Sequence, residues 1–517
     1  MKRQGASIDS GGFFRLLNGM FGAWDKHRRI DHERRVRRSI EEAQHREQAM
    51  LHAQPSGVLG DARPGNLQDA AQAGLLTGEG LYLGLLDGHE LTYNGDASLL
   101  TYGRPGVGKD RDIVAQNAAR NASRSMIFMD PKSETSFSSA RFRREVMKLP
   151  EIVIDPYGTS GLKNIKINPL ARLVRIVHEQ GRLLDTEHRE IAAAILPKPN
   201  RKGESDWANR GARRLIALII KYQVYHLPNH ACLGLIWNFL NTSDDKFERR
   251  LDRISRSTVP GLAGETVKFR TMMREASKQF EAIVDEAIDA IQLYEPGSSL
   301  REATRIDEFD FAQLKQKPHT VYVTIPGEKL DVASRYLALI FNHIVESVAT
   351  AKQGSTRTTF LLNEFANIGK MPSFRKALRL YRGAGVQFFC FAQSRQSVDE
   401  IYGEEGRKEL EECVGVLQAL GPEEPSLLRD LELWSGKQTV IVRAMNRGGG
   451  AVASAGDGIQ EQARPVLQIE TIRTIGDGRQ ILKLPGSPLF VAERLPWFEM
   501  EPYRRQLRNP KEMQGAV

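Results

Sequence analysis

Two hydrophobic patterns divide this chain. Short apolar runs bounded by turn residues predict buried strands, and apolar residues at helical spacing follow several of them, as in Ala333 to Ala351. Strands that alternate with helices predict a parallel sheet covered on both faces, so the expected fold class is α/β. The predicted strands are Leu99 to Tyr102, the run ending at Asp130, Glu151 to Asp155, His319 to Ile325, Thr358 to Glu364, Val386 to Phe391 and Val414 to Leu420.

The central segment has a different pattern. Residues 181–300 lose the strand signal and show helical periodicity broken at Pro228, Pro260 and Pro296, which predicts an all-α domain inserted into the α/β fold. The α/β domain is then expected in two sequence segments, 76–180 and 301–510. Two short apolar runs around Tyr93-Asn94-Gly95 predict a hairpin that leads into it. The loop from Arg447 to Asp457 is expected to be mobile.

The N-terminal region, residues 1–75, is predicted to be a charged helical arm and a linker, the linker covering 51–75. An apolar and aromatic stretch, Gly11 to Trp24, precedes a basic stretch, Lys26 to Arg38. One interpretation is a helical arm with a solvated charged face. The other is an interfacial anchor whose apolar side enters the headgroup region while arginines bind anionic lipid.

Composition limits the possible functions. The chain has 517 residues and a net charge of +9. Such a charge is compatible with binding to nucleic acid or an anionic membrane surface, and equally with an ordinary solvated surface. Its three widely separated cysteines offer neither a disulfide framework nor a metal pair, so a reduced, cytoplasmic protein is expected. No apolar run approaches the ~20 residues of a membrane-spanning helix.

A glycine-rich loop carries the clearest chemistry. The spacing Gly103-x4-Gly108-Lys109 fits a P-loop, and the loop follows a predicted strand and opens a predicted helix, as that motif requires. Glycines let successive backbone N–H groups point at phosphate oxygens, and the helix N-terminus and a lysine ammonium add positive charge. The predicted phosphate-binding residues are Gly103, Arg104, Pro105, Gly106, Val107, Gly108, Lys109 and Asp110.

Several blocks of sequence, in order from Gly80 to Tyr503, resemble the TraG/TraD-type coupling proteins of conjugative type IV secretion systems. They include YLGLLDGHELTYNGDASLLTYGRPGVGK, SMIFMDPKSETSFSSARFRR, INPL, ESDWANRGARRLIALII, FLLNEFANIGKMPSFRKAL and GVQFFCFAQSRQSVDEIYG. The resemblance implies a RecA-like P-loop nucleotide-binding domain with an inserted all-α domain. It also implies ATP and Mg²⁺ as cofactors.

Three features depart from that family. The family usually begins with membrane-spanning helices, whereas this chain shows none. Asn363-Glu364 stands where the family has Asp-Glu on its Walker B strand. Asp110 follows the P-loop lysine, where Ser, Thr or Gly is common. These departures bear on catalysis more than on fold.

The resemblance assigns roles by position. Lys109 would bind the outer phosphates, Glu364 would act as general base for water, and Gln393 would sense the γ-phosphate. Arg382 is a candidate finger into a neighbouring subunit, or else a surface residue in an ion pair. Asp110 and Asn363 would hold the metal, and the two departures are either one exchange of the carboxylate between these positions or two separate losses. Lys132 and Glu134 match the family motif as structural residues.

The implied partners are DNA, expected to be single-stranded, relaxosome or effector proteins, and channel components of the secretion system. A homo-hexamer at the inner face of the bacterial inner membrane is the expected assembly. Two functions stay open: an ATPase that drives DNA or effectors into the channel, and a relative without hydrolysis that acts as receptor or scaffold. Intact Lys109, Glu364 and Gln393 favour the first, and Asp110 and Asn363 favour the second.

Overall fold

A computed structural model describes residues 30–42, 44–45, 55–182, 186–198, 206–352, 354–371, 374–445, 457–510 and 512. The apolar stretch Gly11 to Trp24 and the loop after Arg447 lie outside these residues, apart from Asp457. The chain divides into two compact units, Met1–Arg63 with Gly436–Val466, and Pro64–Ser435 with Leu467–Val517.

In the described residues the strands, named in chain order, are Leu81–Leu86 (β1), His89–Tyr93 (β2), Leu99–Gly103 (β3), Ser125–Met129 (β4), Glu151–Ile154 (β5), Thr320–Val323 (β6), Thr358–Leu362 (β7), Val386–Ala392 (β8), Val416–Leu420 (β9), Lys437–Met445 (β10), Asp457–Pro465 (β11), Arg479–Lys483 (β12) and Phe490–Glu493 (β13). The α-helices are residues 30–42 (α1), Leu67–Gln72 (α2), Ala115–Arg120 (α3), Glu134–Glu145 (α4), Ala171–Gln180 (α5), Glu187–Ile195 (α6), Asp206–His226 (α7), Leu233–Leu240 (α8), Asp244–Ser255 (α9), Leu262–Glu275 (α10), Ser277–Ile291 (α11), Ser299–Ala303 (α12), Leu330–Thr350 (α13), Phe374–Lys376 (α14), Arg395–Cys413 (α15), Pro425–Trp434 (α16), Ile469–Arg473 (α17) and Tyr503–Gln506 (α18).

The larger unit is built on one sheet with the strand order β2-β1-β13-β12-β9-β3-β8-β7-β4-β6-β5. The strands from β9 to β5 are parallel to one another, and every pairing from β2 to β9 is antiparallel. The parallel strands are buried along nearly their whole length, as expected when helices cover both faces. Because parallel strands end at one edge of the sheet, the residues that follow β3, β7 and β8 lie close together.

Between β5 and β6 the described chain forms helices α5 to α12 and no strand. Their core is apolar and partly aromatic: the Phe247 and Phe280 rings meet edge to face at 5.8 Å, and Phe280 meets Phe269 at 6.5 Å. The helices begin at Ala171, ten residues before the predicted boundary, because α5 follows directly after the loop that leaves β5.

Two predictions near the N-terminal end of the larger unit are wrong. The hairpin turn is Asp87-Gly88, which joins β1 to β2; both residues have positive φ (48° and 80°), as a two-residue hairpin turn requires. Tyr93-Asn94-Gly95 instead connects strands that do not pair. Residues 64–75 are not a linker, since Asn66 caps α2 and Ala70 and Leu75 are fully buried.

The smaller unit contains α1, whose described residues are exposed, and an antiparallel pair, β10 and β11. The chain from Ser56 to Ala62 lies along β10, where Thr439 N–H donates to Gly60 O at 2.8 Å and Ala62 N–H donates to Lys437 O at 3.0 Å. The predicted domain segment 301–510 therefore includes residues 436–466 that belong to the smaller unit, because their strands pair with each other and not with the large sheet.

Candidate nucleotide site

The glycine-rich loop joins β3 to the helix that precedes β4. Gly106 and Gly108 have φ of +78° and +94°, a region that favours glycine, and a Cβ on Gly108 would lie 2.7 Å from Asp112 Oδ2. The helix begins with one π-helical turn, Asp110–Val114, before α3. The loop is thus curled in the way that a phosphate-binding loop requires. Of the other predicted loop residues, Arg104 and Pro105 are exposed and Val107 is buried.

Lys109 joins the loop to the end of β7. Its ammonium is only 4% exposed, and it donates to Gly103 O at 2.9 Å and to Glu364 Oε1 at 3.2 Å. Glu364 has left-handed backbone geometry, with φ 53° and ψ 49°, directly after Asn363. Strained geometry of this kind at a strand end is common where a side chain must face a ligand.

Gln393 extends this contact to β8. It follows the last residue of that strand, and its Nε2 donates to Glu364 Oε2 at 3.0 Å. The next residue, Ser394, caps helix α15 through its side chain. Lys109, Glu364 and Gln393 therefore form one chain of contacts across the ends of three adjacent strands, β3, β8 and β7.

The two residues that depart from the family pattern touch each other. Asn363 Nδ2 donates to Asp110 Oδ1, although the residues are 253 positions apart. The other amide atom, Asn363 Oδ1, is buried without a hydrogen-bond partner. A buried oxygen with no donor, next to a carboxylate, is a donor set that suits a hard divalent cation or an ordered water.

Asp110 lies among acidic residues. The pKa of Asp110 is raised to about 6, chiefly because the surrounding protein desolvates the carboxylate. The carboxylates of Glu134, Glu364 and Asp130 contribute to this rise, and Lys109 opposes it. The residue is nevertheless exposed along the open cleft, so solutes reach its carboxylate. Asp130 accepts hydrogen bonds from the backbone of Thr135 and Ser136, and so it holds the start of α4 beside the loop.

A cavity of about 280 Å³ opens beside Asp110. Helices α3 and α4 form two of its walls, and the segment after β13 forms the third. Its apolar part includes Trp497, Phe498 and Pro510, and its polar part includes Asp110, Glu134 and Asn509. This cavity is not predictable from the sequence, because no local pattern shows that residues near 500 lie beside Asp110.

A second feature that no local sequence pattern predicts is a buried arginine beside the P-loop. Arg494, fully buried after β13, donates to Val107 O at 2.8 Å and to Asp112 Oδ2 at 2.9 Å. It also donates to the backbone of Arg479 and Asp477. One guanidinium thus fixes both the P-loop backbone and the first helical turn to the β12–β13 hairpin.

Arg382 lies away from these residues. It is exposed and follows the π-helical turn Ala377–Tyr381, before β8 begins, so it belongs to the edge of the sheet opposite the P-loop. A nearby group is Tyr93, whose pKa is raised by burial and lowered by the charge of Arg382. The structure brings Lys109, Asp110, Asn363, Glu364 and Gln393 together and leaves Arg382 outside.

In the described parts of the chain no helix is both long and apolar enough to cross a membrane. The comparison with curated proteins finds VirD4 of Agrobacterium fabrum, 22% identical over 209 residues, and VirD4 of Rhizobium rhizogenes at the same identity. The match covers 40% of this chain and 31% of VirD4, about a third of the length of those relatives.

Solved structures of the plasmid coupling protein TrwB share the fold. The complex with the ATP analogue ADPNP aligns with a TM-score of 0.61 at 14% identity, covering 84% of this chain and 93% of TrwB. The complex with ADP and Mg²⁺ aligns with a TM-score of 0.59 at 13% identity, covering 84% and 94%. The predicted α/β, RecA-like P-loop fold with an inserted all-α domain is therefore confirmed.

A family model described as "Type IV secretory system Conjugative DNA transfer" matches residues 63–516, which include the sheet, the helical segment and the site. The predicted resemblance to coupling proteins is thereby confirmed, and the chain belongs to the type IV secretory system conjugative DNA transfer family.

Proposed function

We propose that this protein is a nucleotide-driven motor that brings DNA, or a protein attached to it, to a type IV secretion channel. The observation that carries the proposal is the chain of contacts from Lys109 through Glu364 to Gln393. It joins a phosphate-binding lysine, a carboxylate and an amide at adjacent strand ends, the arrangement that phosphoryl transfer to water needs. Family membership and the ATP-analogue and ADP complexes of TrwB support it.

The site fits ATP with Mg²⁺. The glycine cradle supplies backbone donors for phosphate oxygens, and the Asp110 carboxylate with the unpartnered Asn363 Oδ1 supplies the oxygen ligands that Mg²⁺ prefers. Bound there, the metal would neutralise charge on the outer phosphates. Lys109 would bind phosphate oxygens in place of its present contact with Glu364.

Glu364, once released from Lys109, would accept a proton from the attacking water. Gln393 would sense the γ-phosphate through its hydrogen bond with Glu364. A change in that hydrogen bond would move the start of helix α15, which begins two residues later at Arg395. Arg382 would contact the nucleotide bound by a neighbouring subunit, since the nucleotide site of its own chain lies at the opposite edge of the sheet. A ring of six copies provides such neighbours, and that assembly is part of the proposal.

The remaining parts of the proposal come from the family and the sequence. The helical segment from α5 to α12 would contact the substrate, and the basic surplus would track a DNA backbone through phosphate contacts that weaken with salt. The N-terminal residues would tether the protein to anionic lipid. Co-sedimentation with acidic vesicles tests the tether, because loss of residues 1–50 should abolish binding.

One observation favours a second function, a receptor that binds substrate without hydrolysing ATP. Asn363 Nδ2 donates to Asp110 Oδ1, so one of the two Asp110 carboxylate oxygens is already engaged. If that contact persists with nucleotide, only Asp110 Oδ2 and Asn363 Oδ1 remain for a metal, and Asn363 brings no charge. Such a protein would still recruit substrate to the channel.

ATP turnover by the purified protein, with and without single-stranded DNA, separates the two functions. The motor predicts DNA-stimulated phosphate release that Lys109→Ala and Glu364→Gln abolish. The matched control is Lys329→Ala, an exposed lysine outside the site, which should turn over normally. Binding of a fluorescent ATP analogue without turnover in the wild type would establish the receptor instead.

A further inference from the structure

A groove of about 490 Å³ lies in the helical segment, between the start of α9, the end of α10 and one side of α11. Its floor is apolar: Met273, Val284 and Ile288 are partly exposed there, above the buried rings of Phe247 and Phe280. Its rim carries Asp244, Glu281 and Asp285, all exposed. We name these six exposed or partly exposed residues the α11 groove.

The rim carboxylates are unpaired. None of the three makes an ion pair or a side-chain hydrogen bond with another described residue. The basic residues nearest in sequence on α10 are engaged elsewhere, since Arg274 pairs with Glu248 at 2.8 Å and Arg270 pairs with Asp252 at 3.1 Å. Two exposed lysines, Lys246 on α9 and Lys278 on α11, lie near the rim in sequence, but neither forms an ion pair with it in the described residues. The three rim carboxylates outnumber these lysines, so the groove presents net negative charge in a protein whose net charge is +9.

A row of acidic residues along α11 extends the negative charge of the groove. Glu281 and Asp285 are four residues apart, and Asp289, also exposed, continues the row by four more. Like charges at this spacing repel and destabilise an isolated helix. A ligand with positive charge would relieve that repulsion, so the row favours a cationic partner.

We infer that the α11 groove binds a cationic amphipathic helix of a partner protein. The partly exposed Val284 and Ile288, one helical turn apart, offer a surface for apolar side chains at helical spacing, and Met273 adds an adaptable floor. The carboxylates would pair with Lys or Arg on the flanks of that helix. DNA does not fit, because its phosphates would meet carboxylates.

The groove does not suit a bare metal ion either. In the residues that the structure describes, no group of three His, Cys, Asp or Glu side chains lies close enough to hold one. The assignment also stands apart from the nucleotide site, because no residue of the groove lies in the P-loop or at a strand end. The inference rests on the proposed function, in which the helical segment contacts the transported substrate, and it specifies a protein helix as the ligand of one groove in that segment.

The test measures fluorescence anisotropy of a labelled 14-residue Leu/Lys peptide with leucines on one helical face. Its controls are a scrambled peptide of the same composition and a Leu/Glu counterpart. The full-length protein should bind the amphipathic Leu/Lys peptide at least tenfold more tightly than either control. Equal binding of the scrambled peptide would reduce the interaction to bulk charge and overturn the proposal.

Two groove variants and one matched control locate the binding. Asp244→Asn/Glu281→Gln/Asp285→Asn should weaken peptide binding about tenfold, and so should Val284→Ser/Ile288→Ser. Glu328→Gln/Glu405→Gln/Glu412→Gln removes the same charge from exposed positions outside the groove and should change binding less than twofold. If the control weakens binding as much as the rim variant, the groove is not the site.

Two further measurements keep the result interpretable. All variants should retain wild-type binding of a fluorescent ATP analogue, which shows that they fold and separates this test from that of the motor. Affinity for a labelled 20-nucleotide single strand should not fall in the rim variant. A fall would mean that the groove belongs to a DNA surface, and it would overturn the assignment of a protein partner.

Discussion

The side-chain amide of Asn363 donates a hydrogen bond to the carboxylate of Asp110. Asp110 stands where a standard P-loop site carries a hydroxyl, and the amide of Asn363 stands where such a site carries a carboxylate. Because they are in contact, a change in one alters the charge that the other meets. The pair thus behaves as one unit, which makes its contribution measurable by a double-mutant cycle.

Asn363→Asp alone should weaken nucleotide binding at low Mg²⁺, since two carboxylates ~4 Å apart repel by roughly 4 kcal/mol at an effective dielectric of 20. Asp110→Thr alone should leave the metal with too little charge and raise the Mg²⁺ requirement. The double variant should recover or exceed the parent's affinity and turnover. The measurement is ATP affinity and turnover of all four proteins across a Mg²⁺ titration. Additive effects would contradict the exchange and favour the receptor.

Arg494→Met should destabilise the protein by roughly 3 kcal/mol, because it leaves the buried Asp112 with only its more exposed partner, Arg111. Nucleotide affinity should fall about tenfold in addition, since the Val107 carbonyl loses its anchor. Thermal unfolding and binding of a fluorescent ATP analogue measure the two effects. Arg505→Met, which breaks an exposed pair with Glu501, is the control and should change stability by less than about 1 kcal/mol.

Gln393→Ala should leave nucleotide affinity within about twofold and lower turnover by at least roughly tenfold, because Glu364 loses the amide that orients it. Gln393→Glu should be worse, since it places a second carboxylate beside Glu364. Gln396→Ala, an exposed residue on the first turn of α15, should behave as wild type. A loss of affinity equal to the loss of turnover would assign Gln393 to binding rather than to the reaction.

Stability should fall on acidification partly through His343. Burial lowers the pKa of His343 to about 3, and Arg172 and Arg175 add to the decrease. Below the ordinary pKa of about 6.5 the unfolded chain binds a proton that the folded protein refuses, so stability is lost as pH falls from 6.5. From pH 7 to 5 the loss is about 2 kcal/mol.

His343→Gln should remove that part of the pH dependence, as measured by thermal unfolding between pH 7 and 5. The control His230→Gln changes an exposed histidine and should keep the wild-type slope. An unchanged slope in His343→Gln would show that the folded protein protonates this residue.

The parallel strands were predictable because each is a short apolar run bounded by polar or turn residues, whereas β10 to β13 were not predicted. Thr358–Leu362 and Val386–Ala392 differ from their predicted bounds by one or two residues. The roles of Glu364 and Gln393 come from the family resemblance, and their positions agree with it, since a polar residue at the end of a buried parallel strand lies at the ligand edge. The contact between them follows from the adjacency of β7 and β8, which no local pattern gives.

Other features needed the tertiary fold. Arg494 meets Asp112 across 382 residues, and nothing in the sequence AERLPW marks that arginine as buried. The sequence offers two equivalent turn dipeptides, Asp87-Gly88 and Asn94-Gly95, and no local pattern decides between them. In the fold the hairpin turn is Asp87-Gly88, since β2 is the edge strand while β3 lies inside the sheet. The sequence predicts a structural role for Glu134, yet its carboxylate raises the pKa of Asp110.

The ion pair of Lys109 and Glu364 has a consequence for selectivity. Because the Lys109 ammonium already pairs with Glu364 at 3.2 Å, the loop offers little net attraction to a small anion, and inorganic phosphate must displace a carboxylate to bind. A polyphosphate chain makes several backbone contacts at once and brings its own cation, so it can compete where a single phosphate cannot. The resting protein should therefore resist inhibition by the phosphate it releases.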